Sequence, residues 1–126
     1  MARILIIDDD TLVRESLQDV LEVEGHEVSV AMDGLEGINL VQNIQFDIVI
    51  TDLIMPKVEG MEIIIKLKER LPNLPVIAMS GGNRLSGEEY LKIAKALGAI
   101  LTLKKPIENA DLIEAVEHCL AGTATI

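Results

Sequence analysis

The chain has 126 residues, 49% of them hydrophobic, and 21 acidic against 11 basic side chains leave a formal net charge of −10. This length and apolar share describe one folded domain with a single core, in the ~100–150-residue range, and exclude disorder. The charge, with only Phe46 and Tyr90 as Phe, Tyr or Trp residues, argues against nonspecific nucleic-acid binding, an anionic membrane surface and base stacking. The imbalance is local: residues 1–53 hold 12 acids with only Arg3 and Arg14 as bases, whereas residues 54–126 hold nine of each. The longest apolar runs, such as Ile4-Leu5-Ile6-Ile7, are too short to span a bilayer, and residues 1–20 reach acids by Asp8, unlike a signal peptide. A lone Cys119 allows no internal disulfide and suits a reducing cytoplasm.

Short apolar runs alternate with stretches of helical period. Arg3–Ile7 reads as a strand buried on both faces, because consecutive large aliphatics leave it no polar side. Leu12, Val13, Leu17, Val20 and Leu21 follow at helical spacing up to Gly25. His26–Ala31 alternates, with Val28 and Val30 on one side, as an edge strand does. Leu35, Ile38 and Val41 mark a second helix, and Phe46–Thr51 a buried strand. Gly60 to Arg70 is a third helix, stopped by Pro72 and Pro75. Val76–Met79 is the fourth strand, Gly81-Gly82 a break, Glu88–Leu97 a fourth helix closing at Gly98, and Ile100–Leu103 the fifth strand. Leu112, Ile113, Val116 and Leu120 form the apolar stripe of a last helix. The reading is a single domain over 1–126, its core about 3–120, with 121–126 a frayed tail or the start of a linker.

Alternating βα units imply an α/β fold: a doubly wound parallel sheet with five helices on both faces. Ligands of such sheets bind beyond the carboxyl ends of the strands. Asp8, Asp9 and Asp10 follow the first strand, Asp52 the third, Ser80 the fourth and Lys105 the fifth. Two unit negative charges ~4 Å apart repel by roughly 4 kcal/mol at an effective dielectric near 20, so clustered carboxylates call for a cation or raised pKa values. An oxygen-only donor set without His or Cys favours Mg²⁺ over Zn²⁺. Each residue also has a plainer reading. Asp10 or Thr11 suits the N-cap of the first helix, Asp52 and Ser80 turns, Gly81-Gly82 a flexible loop, and Lys104-Lys105-Pro106 a solvated pair before a helix. His26 and His118 read as surface or partly buried residues, Cys119 as helix packing, and Met55, Met61 and Met79 as core fillers.

Taken together, Ile4-Leu5-Ile6-Ile7-Asp8-Asp9-Asp10, Asp52-Leu53-Ile54-Met55-Pro56 with Gly60, Ser80-Gly81 and Lys105-Pro106 resemble the receiver domain of two-component response regulators, from Arg3 to about Leu120. The resemblance implies a flavodoxin-like five-stranded sheet in the order 2-1-3-4-5. It implies Asp52 as phosphoacceptor, Asp8 and Asp9 as the acidic pair holding Mg²⁺, with Asp9 the more direct ligand, and the Ile54 carbonyl completing the protein's metal ligands. Ser80 then supplies the hydroxyl that follows the phosphoryl group, and Lys105, not the adjacent Lys104, the functional ammonium. A cis Lys105–Pro106 peptide is also implied, an isomer of only ~5–6% of X–Pro bonds.

The same resemblance implies a signalling phosphoacceptor rather than an enzyme. Its partners are a sensor histidine kinase or phosphotransfer protein and an output partner or domain, with no direct nucleic-acid or membrane contact by this segment. Phosphorylation would control a surface around residues 84–120, and family members often form homodimers through their fourth and fifth helices. Three positions depart from the family pattern. Thr102 stands where Tyr or Phe often swings between exposed and buried positions, while Ile54 and Gly82 place no polar side chain at two sites associated with phosphoryl lifetime. Two rivals share the features. A pseudo-receiver would keep the fold as a constitutive interaction module. A haloacid dehalogenase-like phosphatase would use Asp8-Asp9-Asp10-Thr11, but Thr11 comes one residue too early, the chain lacks room for a cap, and Asp52 is left unused.

Overall fold

A computed structural model describes residues 1–53, 60–81, 92, 95, 96 and 98–124. Five strands, β1 (Arg3–Ile7), β2 (Glu27–Ala31), β3 (Ile48–Asp52), β4 (Val76–Ser80) and β5 (Leu101–Lys104), alternate with helices α1 (Thr11–Val23), α2 (Gly34–Asn43), α3 (Gly60–Arg70) and α4 (Asn109–Ala124). Of the fourth helix expected over 88–97, only Lys92, Lys95 and Ala96 are described, all three helical, and the rest lies outside the described residues, as do Ile54, Met55 and Gly82. All strand pairs are parallel, and the order is β2-β1-β3-β4-β5, as the resemblance implied.

The sheet's period of two sorts the apolar residues between its faces. Ile4, Ile6, Ile48 and Ile50 pack with Leu17 and Leu21 of α1 and Leu112 and Val116 of α4. Leu5, Ile7, Val49 and Ala78 pack with Ile63, Ile64 and Leu67 of α3 on the other face. The central strands are therefore covered on both sides, which is why their sequences run apolar without alternation. β2 is an edge strand, mostly half-buried, as its alternating pattern indicated. On the second face, α2 approaches β1 closely because Gly37 has no side chain: a Cβ there would stand 2.5 Å from Ile7 Cδ1.

Several expectations need correction. Leu12 and Leu35 do not join the apolar stripes; they are 76% and 57% exposed. Leu12 lies five residues before Leu17, about 140° around the helix at 3.6 residues per turn, so it points off the buried row. β3, β4 and β5 end on Asp52, Ser80 and Lys104, one residue past the expected Thr51, Met79 and Leu103. Backbone pairing continues through a polar residue when its neighbour is in register, as Asp52 with Met79 and Ser80 with Lys104 show. The last helix likewise continues through Ala124 rather than ending near Leu120. No helix among the described residues is long and apolar enough to cross a membrane.

Candidate functional site

The carboxyl ends of β1, β3, β4 and β5 bring Asp8, Asp52, Ser80 and Lys105 together. Asp8 leaves β1 directly, its N–H donating to the Ala31 carbonyl at 3.1 Å, and its side chain is fully buried. Asp8 Oδ1 accepts from the Asp10 N–H at 2.9 Å. Asp10 in turn caps α1, accepting from the Leu12 and Val13 N–H groups, so the sequence expectation of a cap at Asp10 or Thr11 resolves to Asp10. Asp9, between them, is exposed.

Asp52 is the final residue of β3 and 5% exposed. Its Oδ2 accepts from Lys105 Nζ at 3.0 Å, and the same ammonium lies 2.8 Å from Asp8 Oδ2. The contact with Asp8 is an ion pair at hydrogen-bond length without a directional hydrogen bond, for Asp8 Oδ2 has no hydrogen-bond partner among the described residues. Burial by itself would lower the pKa of Lys105. Its contact with Asp8 and the charge of Asp52 outweigh that effect, and the ammonium titrates above its ordinary value.

Lys105 reaches the acids along a defined track. Its backbone N–H donates to the Ser80 carbonyl at 2.7 Å, and the Lys105–Pro106 peptide is cis. Its side chain passes over Gly81, where a Cβ would stand 3.0 Å from Lys105 Cδ and 3.3 Å from its Cβ. Gly81 is thus a space reserved for the lysine, a role its reading as a loop residue did not capture. Ser80 is buried at the end of β4, next to this track. Thr102, on β5, is half-buried and pairs with Ala78, two strands from Asp52. Ile54 lies outside the described residues.

Asp8, Asp9 and Asp52 each offer one carboxylate oxygen, and these atoms lie within 4.8 Å of one another. The buried Asp8 Oδ2, held by a charge but no aligned donor, is suited to share a cation. This donor set is all oxygen, the kind that hard cations accept. The cluster can hold a metal ion.

Arg14 is a site neighbour that the strand-end argument missed. It donates from Nη1 to the Asp8 carbonyl at 2.7 Å and from Nη2 to Thr11 Oγ1 at 3.1 Å. A signal was present: Arg14 is one of two bases in the acidic half, and it sits in a first helical turn, where the macrodipole disfavours cations.

The molecule is a doubly wound α/β domain in which the partly buried ammonium of Lys105 bridges carboxylates at the ends of two different strands. Residues 4–117 match the family model for the response regulator receiver domain. The response regulator MprA of Mycobacterium sp. (strain KMS) is 37% identical over 122 residues, covering 97% of this chain and 52% of that protein. The chain therefore spans about half the length of the curated relatives it matches. A response regulator receiver domain protein from Clostridium thermocellum superposes with a TM-score of 0.89 at 32% identity, covering 98% of each chain. A CheY-like receiver domain protein from Methanospirillum hungatei JF-1 gives a TM-score of 0.89 at 32% identity over 97% of this chain and 95% of that one. The chain belongs to the response regulator receiver domain family, the receiver module of two-component signal transduction.

Proposed function

We propose that the whole of 1–126 acts as one cytoplasmic receiver unit that accepts a phosphoryl group on Asp52 from a phosphohistidine of a sensor kinase or phosphotransfer protein. The observation that carries this reading is the partly buried Lys105 ammonium within 3.0 Å of both the Asp8 and Asp52 carboxylates. It places a fixed positive charge beside the acid that must act as nucleophile.

In the step we infer, an Asp52 carboxylate oxygen attacks phosphorus and a P–O bond forms. The P–N bond to the donor imidazole breaks, its electron pair leaves with the ring nitrogen, and the ring takes a proton from solvent. Asp8, Asp9, Asp52 and the Ile54 carbonyl would hold Mg²⁺, which when bound supplies positive charge against the carboxylate and phosphoryl oxygens. Lys105 holds Asp52 in place and then pairs with the incoming phosphoryl oxygens. Ser80, one strand over, donates its hydroxyl to the same group. A shift of Ser80 pulls on the segment after β4, and the partner surface around residues 84–120 responds. Thr102 has no aromatic ring to swing, so the response runs through Ser80 and β5. Leu12, Met32 and Leu35, all more than half exposed, lie just beyond the carboxyl ends of β1 and β2 and offer an apolar rim against which a protein donor can dock. The chain itself is a signalling phosphoacceptor rather than an enzyme acting on a separate substrate.

Incubation with acetyl phosphate and Mg²⁺ tests this reading. We expect a ~80 Da adduct by mass spectrometry, the mass of one phosphoryl group, lost in Asp52→Asn and in excess EDTA. No adduct on the wild type, or an undiminished one on Asp52→Asn, overturns the reading. Multiple turnover of p-nitrophenyl phosphate would favour a phosphatase instead.

A further inference from the structure

Arg14 occupies a position that general electrostatics disfavours, a cation in the first turn of α1 where the helix dipole prefers anions. Among the described residues it forms no ion pair, although three carboxylates cluster next to the loop it touches. Both of its side-chain hydrogen bonds go instead to the entry of the helix, Nη1 to the Asp8 carbonyl in the loop and Nη2 to Oγ1 of Thr11, the first residue of α1. The Asp8 carbonyl belongs to the peptide that joins Asp8 to Asp9. Asp8 and Asp10 have further anchors, Asp8 Oδ1 to the Asp10 N–H and Asp10 Oδ1 to the Leu12 and Val13 N–H groups. Asp9 has none: its side chain is exposed and makes no hydrogen bond among the described residues. The direction of its carboxylate is set by the peptide planes on either side, and Arg14 holds the first of them.

We propose that Arg14 is a positioning residue for the cation site, locking the Asp8–Asp9 peptide so that the Asp9 carboxylate points into the space it shares with Asp8 and Asp52. This rests on the reading that the three acids take a divalent cation. The two possible effects of Arg14 have opposite signs. As a bare positive charge it repels a cation, and its removal tightens binding. As a positioning residue its removal weakens binding, typically ~10–100-fold for a partner that orients a ligand.

The test titrates Mn²⁺ into the full chain, reading free ion by electron paramagnetic resonance, for the wild type, Asp9→Asn, Arg14→Gln and Arg14→Lys. We expect Arg14→Gln to weaken Mn²⁺ binding about tenfold, and Arg14→Lys, which keeps the charge and one donor, to recover part of that loss. In the metal-free protein, hydrogen exchange at the Asp10 amide should quicken in Arg14→Gln relative to the amides of β1, a readout independent of any cation. Circular dichroism confirms that each variant is folded; if Arg14→Gln is not, the comparison between Arg14→Lys and wild type decides by the same sign. Unchanged or tighter Mn²⁺ binding in Arg14→Gln, with wild-type binding that Asp9→Asn abolishes, overturns the positioning role alone. Failure of the wild type to bind Mn²⁺ at this cluster overturns the cation reading and the proposal with it.

Discussion

Replacing Lys105 by Met tests whether the ammonium between the two carboxylates holds the site together. Its contacts with Asp8 Oδ2 and Asp52 Oδ2, at 2.8 and 3.0 Å, each represent roughly 5–6 kcal/mol of gross attraction at an effective dielectric near 20. Desolvation of two buried carboxylates and a partly buried ammonium cancels much of this. Deleting only the cation, however, restores none of the solvation and leaves carboxylates facing each other, a change that typically costs ~3–5 kcal/mol. With a urea slope of about 2 kcal/mol/M, the midpoint in EDTA at pH 7 should fall by about 2 M. The pH dependence has a definite sign. Lys105 titrates above its ordinary pKa of 10.5 in the fold, so its contribution is complete below that value and is lost as pH rises through the raised one. The gap between wild type and Lys105→Met should therefore be constant near neutrality and close in strong alkali. Mg²⁺ should raise the variant's midpoint more than that of the wild type, because a divalent ion replaces the missing charge. Urea titrations followed by circular dichroism measure all three. A variant within ~0.5 kcal/mol of wild type in EDTA, or a gap that stays constant through high pH, would refute the reasoning.

Other expectations concern the frame around the site. Asp10→Ala removes the acceptor for the Leu12 and Val13 N–H groups and should cost about 1 kcal/mol in urea denaturation, most of it retained by Asp10→Asn. Gly37→Ala puts a methyl 2.5 Å from Ile7 Cδ1. Overpacking of ~1–3 kcal/mol exceeds the ~1 kcal/mol gained in helix propensity, and Ile7→Val in the same chain should recover part of the net loss. Burial raises the pKa of the Cys119 thiol, so it should resist 5,5′-dithiobis(2-nitrobenzoate) at pH 8 until urea unfolds the chain. Rapid labelling of the native protein would contradict the packing of α4.

Much of this architecture could be read from apolar spacing because the fold uses it directly. Ile4 to Ile7 announce a strand covered on both faces, and the two cores divide those four residues alternately. Strand ends were less legible. An apolar run stops where side chains turn polar, whereas pairing stops where the backbone loses its neighbour, and in β3 and β4 the two differ by one residue. That residue is Asp52 in one case and Ser80 in the other. The site is consequently mounted on hydrogen-bonded strands rather than on loops, which fixes its geometry more tightly than the sequence alone implied. Gly81 and Arg14 were not legible because their roles depend on what passes beside them. A glycine reserved for a lysine stem and an arginine aimed at a carbonyl leave no periodic signature.

The acidic half of the chain now divides into charges with different obligations. Asp8, Asp9 and Asp52, set against Lys105, leave two negative charges at the strand ends when all are ionised, and one divalent ion would balance them. The three acids are not equivalent in meeting this excess. Asp8 is fully buried with one oxygen held by the Asp10 N–H and the other against Lys105. Asp9 is exposed and hydrogen-bonded to nothing among the described residues. Asp8→Asn should therefore lower stability, because it strips Lys105 of a partner inside the protein. Asp9→Asn should leave the urea midpoint in EDTA unchanged or raise it, by relieving repulsion, while abolishing the stabilisation that Mg²⁺ confers on the wild type. Equal losses of stability from the two substitutions would mean that Asp9 supports the fold. The division of labour between them, one acid to hold the lysine and one kept open for the cation, would then fail.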